Sequence, residues 1–116
     1  MTKVLYIEDN QDVSEIMKDM LKIFFKDVYV AKNGLEGLEA YKKYNPDLVI
    51  SDIFMPKMDG LKLTKEIYKL NKDAKIILIT ADNDDKYYKE AKELKVLAYF
   101  RKPFDFSQLQ SIIDSV

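Results

Sequence analysis

Cysteine and histidine are both absent from the 116 residues. That removes thiolate nucleophiles, imidazole bases, disulfides and the usual zinc sites together. Any metal held here must be held by oxygen. Glycine is scarce at three residues, and no Gly-rich phosphate loop follows the first apolar run, which argues against a flavodoxin or a nucleotide-binding module. No single sign of charge dominates either: 19 basic and 20 acidic residues leave a formal net charge of -1, so no broad field steers the chain toward nucleic acid or anionic lipid. No segment approaches the ~20 apolar residues that span a bilayer. After Met1-Thr2-Lys3 the chain enters strand-like sequence, without a basic stretch leading into a long apolar run. The expected location is cytoplasmic, with neither membrane nor nucleic acid as a direct partner. There is no repeat, low-complexity tract or linker, and 47% hydrophobic residues suffice for a core, so 1–116 reads as one domain.

Four short apolar runs are present instead, and each ends in a group suited to phosphoryl chemistry. Val4-Leu5-Tyr6-Ile7 runs into Glu8-Asp9, Leu48-Val49-Ile50 into Ser51-Asp52, Ile76-Ile77-Leu78-Ile79 into Thr80, and Val96-Leu97-Ala98-Tyr99-Phe100 into Arg101-Lys102-Pro103. Strands buried on both faces read as continuous apolar runs, and in open α/β sheets ligands sit beyond the carboxyl ends of the strands. If these runs are parallel strands, three carboxylates, a hydroxyl and an ammonium share one crevice.

Helical periods fill the gaps. From Asn10 to about Lys26, Val13, Ile16, Met17, Met20, Leu21 and Phe24 recur three and four apart, with Asn10 as N-cap and Asp12 near the positive end of the dipole. Asp27 to Ala31 reads as a strand and Lys32-Asn33-Gly34 as a turn. Leu35, Leu38, Tyr41 and Tyr44 form the inner stripe of a second helix, stopped by Asn45-Pro46. Met55 to Gly60 is a loop with Asp59 in the cap region, and Leu63, Ile67 and Leu70 mark the third helix. Tyr87, Ala91 and Leu94 mark a thin fourth helix. Phe106, Leu109, Ile112, Ile113 and Val116 mark a fifth, with Asp105 and Gln108 spaced as a capping box. Strand and helix alternate five times, which predicts right-handed crossovers and a doubly wound parallel sheet with helices on both faces. Strand order is left open by this pattern.

Glu8, Asp9 and Asp52 in one crevice repel one another unless a cation neutralises them, and Mg²⁺ prefers carboxylate, carbonyl and water oxygens. Taken singly, acids at strand ends are ordinarily solvated or cap the next helix. Asp12 and Asp59 fit that description, whereas the set of three favours the cation. Lys102 suits a carboxylate or phosphoryl oxygen, and the Thr80 hydroxyl can donate to the same oxygen. Pro103 makes the preceding peptide bond a candidate for cis.

The arrangement Tyr6-Ile7-Glu8-Asp9, then Pro46-Asp47-Leu48-Val49-Ile50-Ser51-Asp52-Ile53-Phe54-Met55-Pro56-Lys57-Met58-Asp59-Gly60, then Ile79-Thr80-Ala81, then Tyr99-Phe100-Arg101-Lys102-Pro103-Phe104 resembles the receiver domain of bacterial two-component response regulators, over essentially the whole chain. The resemblance implies a flavodoxin-like (βα)5 fold with sheet order 2-1-3-4-5. It implies that Asp52 accepts a phosphoryl group from a phosphohistidine of a sensor histidine kinase or phosphotransfer protein. Mg²⁺ would be bound by Asp9, Asp52 and the backbone carbonyl of Phe54, with Glu8 acting through a water, and Lys102 would pair with Asp52 and then with the phosphoryl group. Thr80 would move toward that group, Tyr99 would turn into the space left, and small Ala81 would permit it. The responding surface would be the fourth helix, fifth strand and fifth helix, where Tyr87, Tyr88, Lys92, Lys95 and Arg101 could meet a downstream partner or, on phosphorylation, a second copy. Phe54 and Asp82 stand where the family tunes phosphoryl lifetime. Lys95-Val96 depart from the Gly-Ala pair common before the position of Tyr99, which affects the geometry of that turn.

Two other classes use similar residues. An aspartate-nucleophile phosphohydrolase of the haloacid dehalogenase type also forms an aspartyl phosphate with Mg²⁺, but carries a second Asp two residues on, where this chain has Phe54. A receiver-like fold acting only as a docking surface would not need every acceptor-site residue type, and all are present.

Overall fold

The apolar runs lie side by side. The computed structural model describes residues 2–82 and 85–116. Its elements are β1 (Lys3–Ile7), α1 (Gln11–Leu21), β2 (Asp27–Ala31), α2 (Gly34–Tyr44), β3 (Leu48–Asp52), α3 (Gly60–Leu70), β4 (Ile76–Thr80), α4 (Asp85–Glu93), β5 (Ala98–Arg101) and α5 (Phe106–Ser115). All five strands form one parallel sheet in the order β2-β1-β3-β4-β5, the flavodoxin-like order. Alternate side chains feed two cores. Leu5, Ile7, Val49, Ile76 and Leu78 pack with α2, α3 and α4, while Val4, Tyr6, Ile50, Ile77 and Ile79 pack with α1 and α5. A strand covered on both faces has no polar side to show, which is why β1, β3 and β4 read as unbroken apolar runs.

Helix starts are set by side-chain caps. Asn10 accepts from the Val13 N–H at 3.1 Å, Asn33 from Glu36 at 2.9 Å and Asp59 from Lys62 at 2.8 Å. Asp105 and Gln108 form the expected capping box. Each such cap contributes about 1 kcal/mol. Asn33 is thus the cap of α2 rather than the middle of a free turn, and Gly34 is the helix's first residue. Asn45 ends α2 in the left-handed region at φ 47, and Pro46 prevents its continuation.

The structure corrects several helix stripes. α1 stops at Leu21, five residues before Lys26, and Phe25 rather than Phe24 is the buried ring beyond it. The buried line of α1 is Ser14, Met17 and Leu21, and Ile16, rotated about 100° from Met17, is 63% exposed. Leu35, Leu70 and Val116 are also exposed: Leu35 stands one residue off the buried line Gly34, Gly37 and Tyr41 of α2, while Leu70 and Val116 stand at the C-terminal ends of α3 and α5. β5 begins at Ala98 instead of Val96. Lys95 takes the left-handed conformation, φ 61, and its N–H closes on the Lys92 carbonyl at 3.0 Å. The turn therefore keeps a geometry that suits glycine, built with lysine.

Candidate functional site

Parallel pairing brings four strand ends level. Asp52 is opposite Ile79, and Thr80 is opposite Arg101. Ladder bonds continue one residue past the strands: Glu8 N–H to Ala31 O at 3.0 Å, Ile53 N–H to Ile79 O at 2.9 Å and Lys102 N–H to Thr80 O at 2.7 Å. The functional side chains thus stand on backbone that is still tied to its neighbours. The loop after β3 is drawn in tightly as well. The Gly60 N–H donates to the Ile53 carbonyl at 2.7 Å, and a Cβ at residue 60 would collide with the Asp52 carbonyl, so glycine is required by close approach.

Glu8 and Asp52 are buried, and Asp9 is exposed at the rim. One carboxylate oxygen from each lies within 4.8 Å of the other two. The Lys102 ammonium donates to Glu8 Oε1 at 2.9 Å and to Asp52 Oδ2 at 3.2 Å, with Asp52 Oδ1 at 3.1 Å. The Lys102-Pro103 bond is cis. Asp52 Oδ1 is buried and accepts no hydrogen bond among the described residues. Burial, followed by the hydrogen bond and negative charge of Glu8, pushes the Asp52 carboxyl up to about 8 against the pull of Lys102. Burial also works to raise Glu8, but hydrogen bonds from Asp52 and Lys102 outweigh it and hold it below the usual range. Lys102 is desolvated, yet the two carboxylates keep it charged and raise it. Two buried carboxylates and a third at the rim share the Lys102 ammonium, and such a set of oxygen ligands with surplus negative charge fits a hard divalent cation.

Thr80 is buried at the end of β4, and its hydroxyl accepts from the Asp82 N–H at 3.1 Å. Ala81 is exposed beside it. Tyr99 is half-buried on β5, next to Leu78 in register, and its ring meets Tyr88 of α4 edge-on at 5.4 Å. Phe54 stands in the loop two residues past Asp52, 47% exposed, with its ring against Tyr87 at 4.8 Å and 85°. Arg101 pairs with Asp85 at the start of α4, 2.9 Å away.

Tyr6 also belongs to this region. Its phenol is buried 3.5 Å from Glu8 Oε1, and burial together with the nearby carboxylates raises it, so it stays protonated. Below it opens a cleft of about 510 Å³ between α1 and the start of α5, lined by Tyr6, Val13, Met17, Lys102 and Phe104 among others. Its signal in the sequence is slight: Tyr6 is the one polar-tipped residue in Val4–Ile7.

The chain is similar to known proteins along nearly its whole length. The family model described as the response regulator receiver domain matches residues 4–114. The chemotaxis protein CheY of Halobacterium salinarum is 34% identical over 114 residues, 98% of this chain and 92% of that protein. An uncharacterized response regulatory protein of Staphylococcus epidermidis is 37% identical over 117 residues, 98% of this chain but 46% of that protein, so the chain spans about half of that relative. The crystal structure of a response regulator receiver domain protein from Clostridium thermocellum superposes with a TM-score of 0.92 at 28% identity, over 99% of this chain and 93% of that one.

Proposed function

The chain belongs to the response regulator receiver family, and on that footing we propose that it is a phosphoryl-operated switch whose acceptor is Asp52. Receiver domains are signalling phospho-acceptors. The donor would be a phosphohistidine of a sensor histidine kinase or phosphotransfer protein, in the cytoplasm. One observation supports this reading above the others: the single ammonium of Lys102 bridges two buried carboxylates, 2.9 and 3.1 Å away, with Asp9 alongside. With all three carboxylates ionised, as a bound cation would favour, one ammonium leaves two negative charges, matching one divalent cation.

In the transfer, a carboxylate oxygen of Asp52 attacks phosphorus. The new O–P bond forms as the P–N bond to the donor imidazole breaks, and the imidazole departs with that electron pair. No general base is required, because Asp52 would be ionised once a cation offsets its burial and the charge of Glu8, and a carboxylate carries no proton to lose; positioning and charge stabilisation supply the catalysis. Asp9, Asp52 and the Phe54 backbone carbonyl would hold Mg²⁺, with Glu8 acting through a water. Bound there, Mg²⁺ supplies charge neutralisation for the acid cluster and the incoming phosphoryl oxygens. Lys102, already within 3.2 Å of Asp52, pairs with a phosphoryl oxygen once the carboxylate is esterified.

The output runs through Thr80 and Tyr99. To reach the phosphoryl group the Thr80 hydroxyl must release the Asp82 N–H it now accepts from. Ala81 offers no bulk against that movement, and Tyr99 turns inward into the vacated space. The surface that changes is α4-β5-α5, where a downstream partner would dock. Spontaneous reset is hydrolysis, which Phe54 hinders by bulk while Asp82 repels phosphate or orients the water. Incubating the protein with acetyl phosphate and following intact mass tests the assignment. A phosphoryl adduct is expected with Mg²⁺, and none after chelation or in Asp52→Asn. An adduct that survives Asp52→Asn unchanged contradicts it.

A further inference from the structure

α4 is held to the body of the domain by little: Ala91 is its buried residue, and the helix is otherwise charged or half-exposed. Its contact with the rim of the acid crevice is aromatic. The Tyr87 ring stands edge-to-face on the Phe54 ring, centroids 4.8 Å apart and planes at 85°. Such a pair has a preferred geometry and carries energy beyond its buried area. The sheet order shows what this pair spans. Phe54 leaves the end of β3, Tyr87 rides on the helix that follows β4, and β3 and β4 are neighbours. The pair therefore bridges from the loop after Asp52 to the helix after Thr80. Among the described residues Tyr87 is the ring that stands against Phe54, itself 47% exposed, so its loss frees the Phe54 rotamer at that side.

We infer that Tyr87 is a positioning residue for Phe54, and that through this ring pair α4 sets how long Asp52 keeps its phosphoryl group. The inference rests on the reading of Phe54 as a shield against water. In hydrolysis the water oxygen bonds to phosphorus, the bond from phosphorus to the Asp52 oxygen breaks, and the water's proton passes to solvent. A ring held in place obstructs the water's approach, and a ring free to rotate obstructs it less.

The test is the dephosphorylation rate, after labelling with acetyl phosphate and removing the donor, for wild type, Phe54→Ala, Tyr87→Ala, Tyr87→Phe and the double alanine variant. Phe54→Ala and Tyr87→Ala should each speed loss by roughly two- to tenfold, the worth of one edge-to-face pair. The double variant should be no faster than Phe54→Ala, and Tyr87→Phe, which keeps the ring, should match wild type. If Tyr87→Ala melts early, Tyr87→Leu, apolar but without a ring, should show the same acceleration. An unchanged rate in Tyr87→Ala beside a faster Phe54→Ala overturns the inference alone, as does additivity in the double variant. An unchanged rate in Phe54→Ala overturns the shield and the inference together.

Discussion

β1, β3 and β4 are buried at every position beyond Lys3, whereas β5 is half-buried from Ala98 to Phe100 and exposed at Arg101. The helices follow the same division. α3 buries five residues, and α4 buries Ala91. The acids stand on the tightly packed strands, and the surface expected to respond is made from the loosely held elements. Thr80 and Lys102 lie on the boundary, one ending the last fully buried strand and the other following the half-buried one. A crevice that must hold repelling carboxylates in fixed positions needs rigid support. A surface that must change shape is drawn from elements with few buried apolar contacts.

Asp52→Asn should have the largest effect on this contrast. It should abolish phosphorylation outright. Without metal it should raise the thermal midpoint at pH 8, because it removes a desolvated carboxylate that Glu8 repels. A gain of about 1 kcal/mol is about 4 °C for a domain of this size, readable by calorimetry. Next come the two ion pairs. Lys102→Ala strands Glu8 and Asp52 and should cost about 1–3 kcal/mol at neutral pH, discounted because the ammonium is partly solvated. Arg101→Ala, which removes the exposed pair with Asp85 on the loose side, should cost much less than Lys102→Ala. Equal losses in urea unfolding would erase the contrast.

The pH dependence is smaller and has a definite sign. Asp52 is raised from 3.8 to about 8, so between those values the folded state binds more protons than the unfolded chain, and metal-free stability falls as pH rises through the window. Glu8, lowered, contributes in the opposite sense, with stability present above its ordinary pKa and lost below it. Unfolding midpoints measured from pH 5 to 8 should therefore decline without Mg²⁺ and decline less with it. The smallest effect belongs to Lys95→Gly. Relieving a left-handed lysine, φ 61, against glycine's greater loss of chain entropy should stabilise the domain by about 0.5 kcal/mol, leaving the phosphorylation rate unchanged.

The same division marks what was legible in the sequence. The buried strands announced themselves as Val4–Ile7, Leu48–Ile50 and Ile76–Ile79, because a strand covered on both faces must be apolar throughout. Asn10, Asp59 and Asp105 announced helix starts because few other side chains satisfy those N–H groups. The positions of Asp52, Glu8, Thr80 and Lys102 followed from strand ends alone. Strand order did not, since local pattern carries no pairing information, and the family resemblance supplied it. Ile16, Leu35 and Leu70 fit the apolar spacing yet are exposed, because spacing says which residues could face inward, not which line of the helix does: Ile16 and Leu35 stand one residue off the buried lines of α1 and α2, and Leu70 closes α3. The ring pair of Phe54 with Tyr87 was invisible, since it joins residues whose proximity exists only after the sheet forms, whereas the phenol of Tyr6 beside Glu8 follows from a spacing of two along one strand.

Amide chemical shifts recorded before and after adding beryllofluoride with Mg²⁺ test the central claim most directly. The acid crevice as a phosphoryl switch predicts large shifts at Asp52, Thr80 and Lys102 that continue through Tyr99, Tyr88 and α4, with α2 and β2 nearly still. Shifts confined to the crevice, or equal in Asp52→Asn, would contradict it.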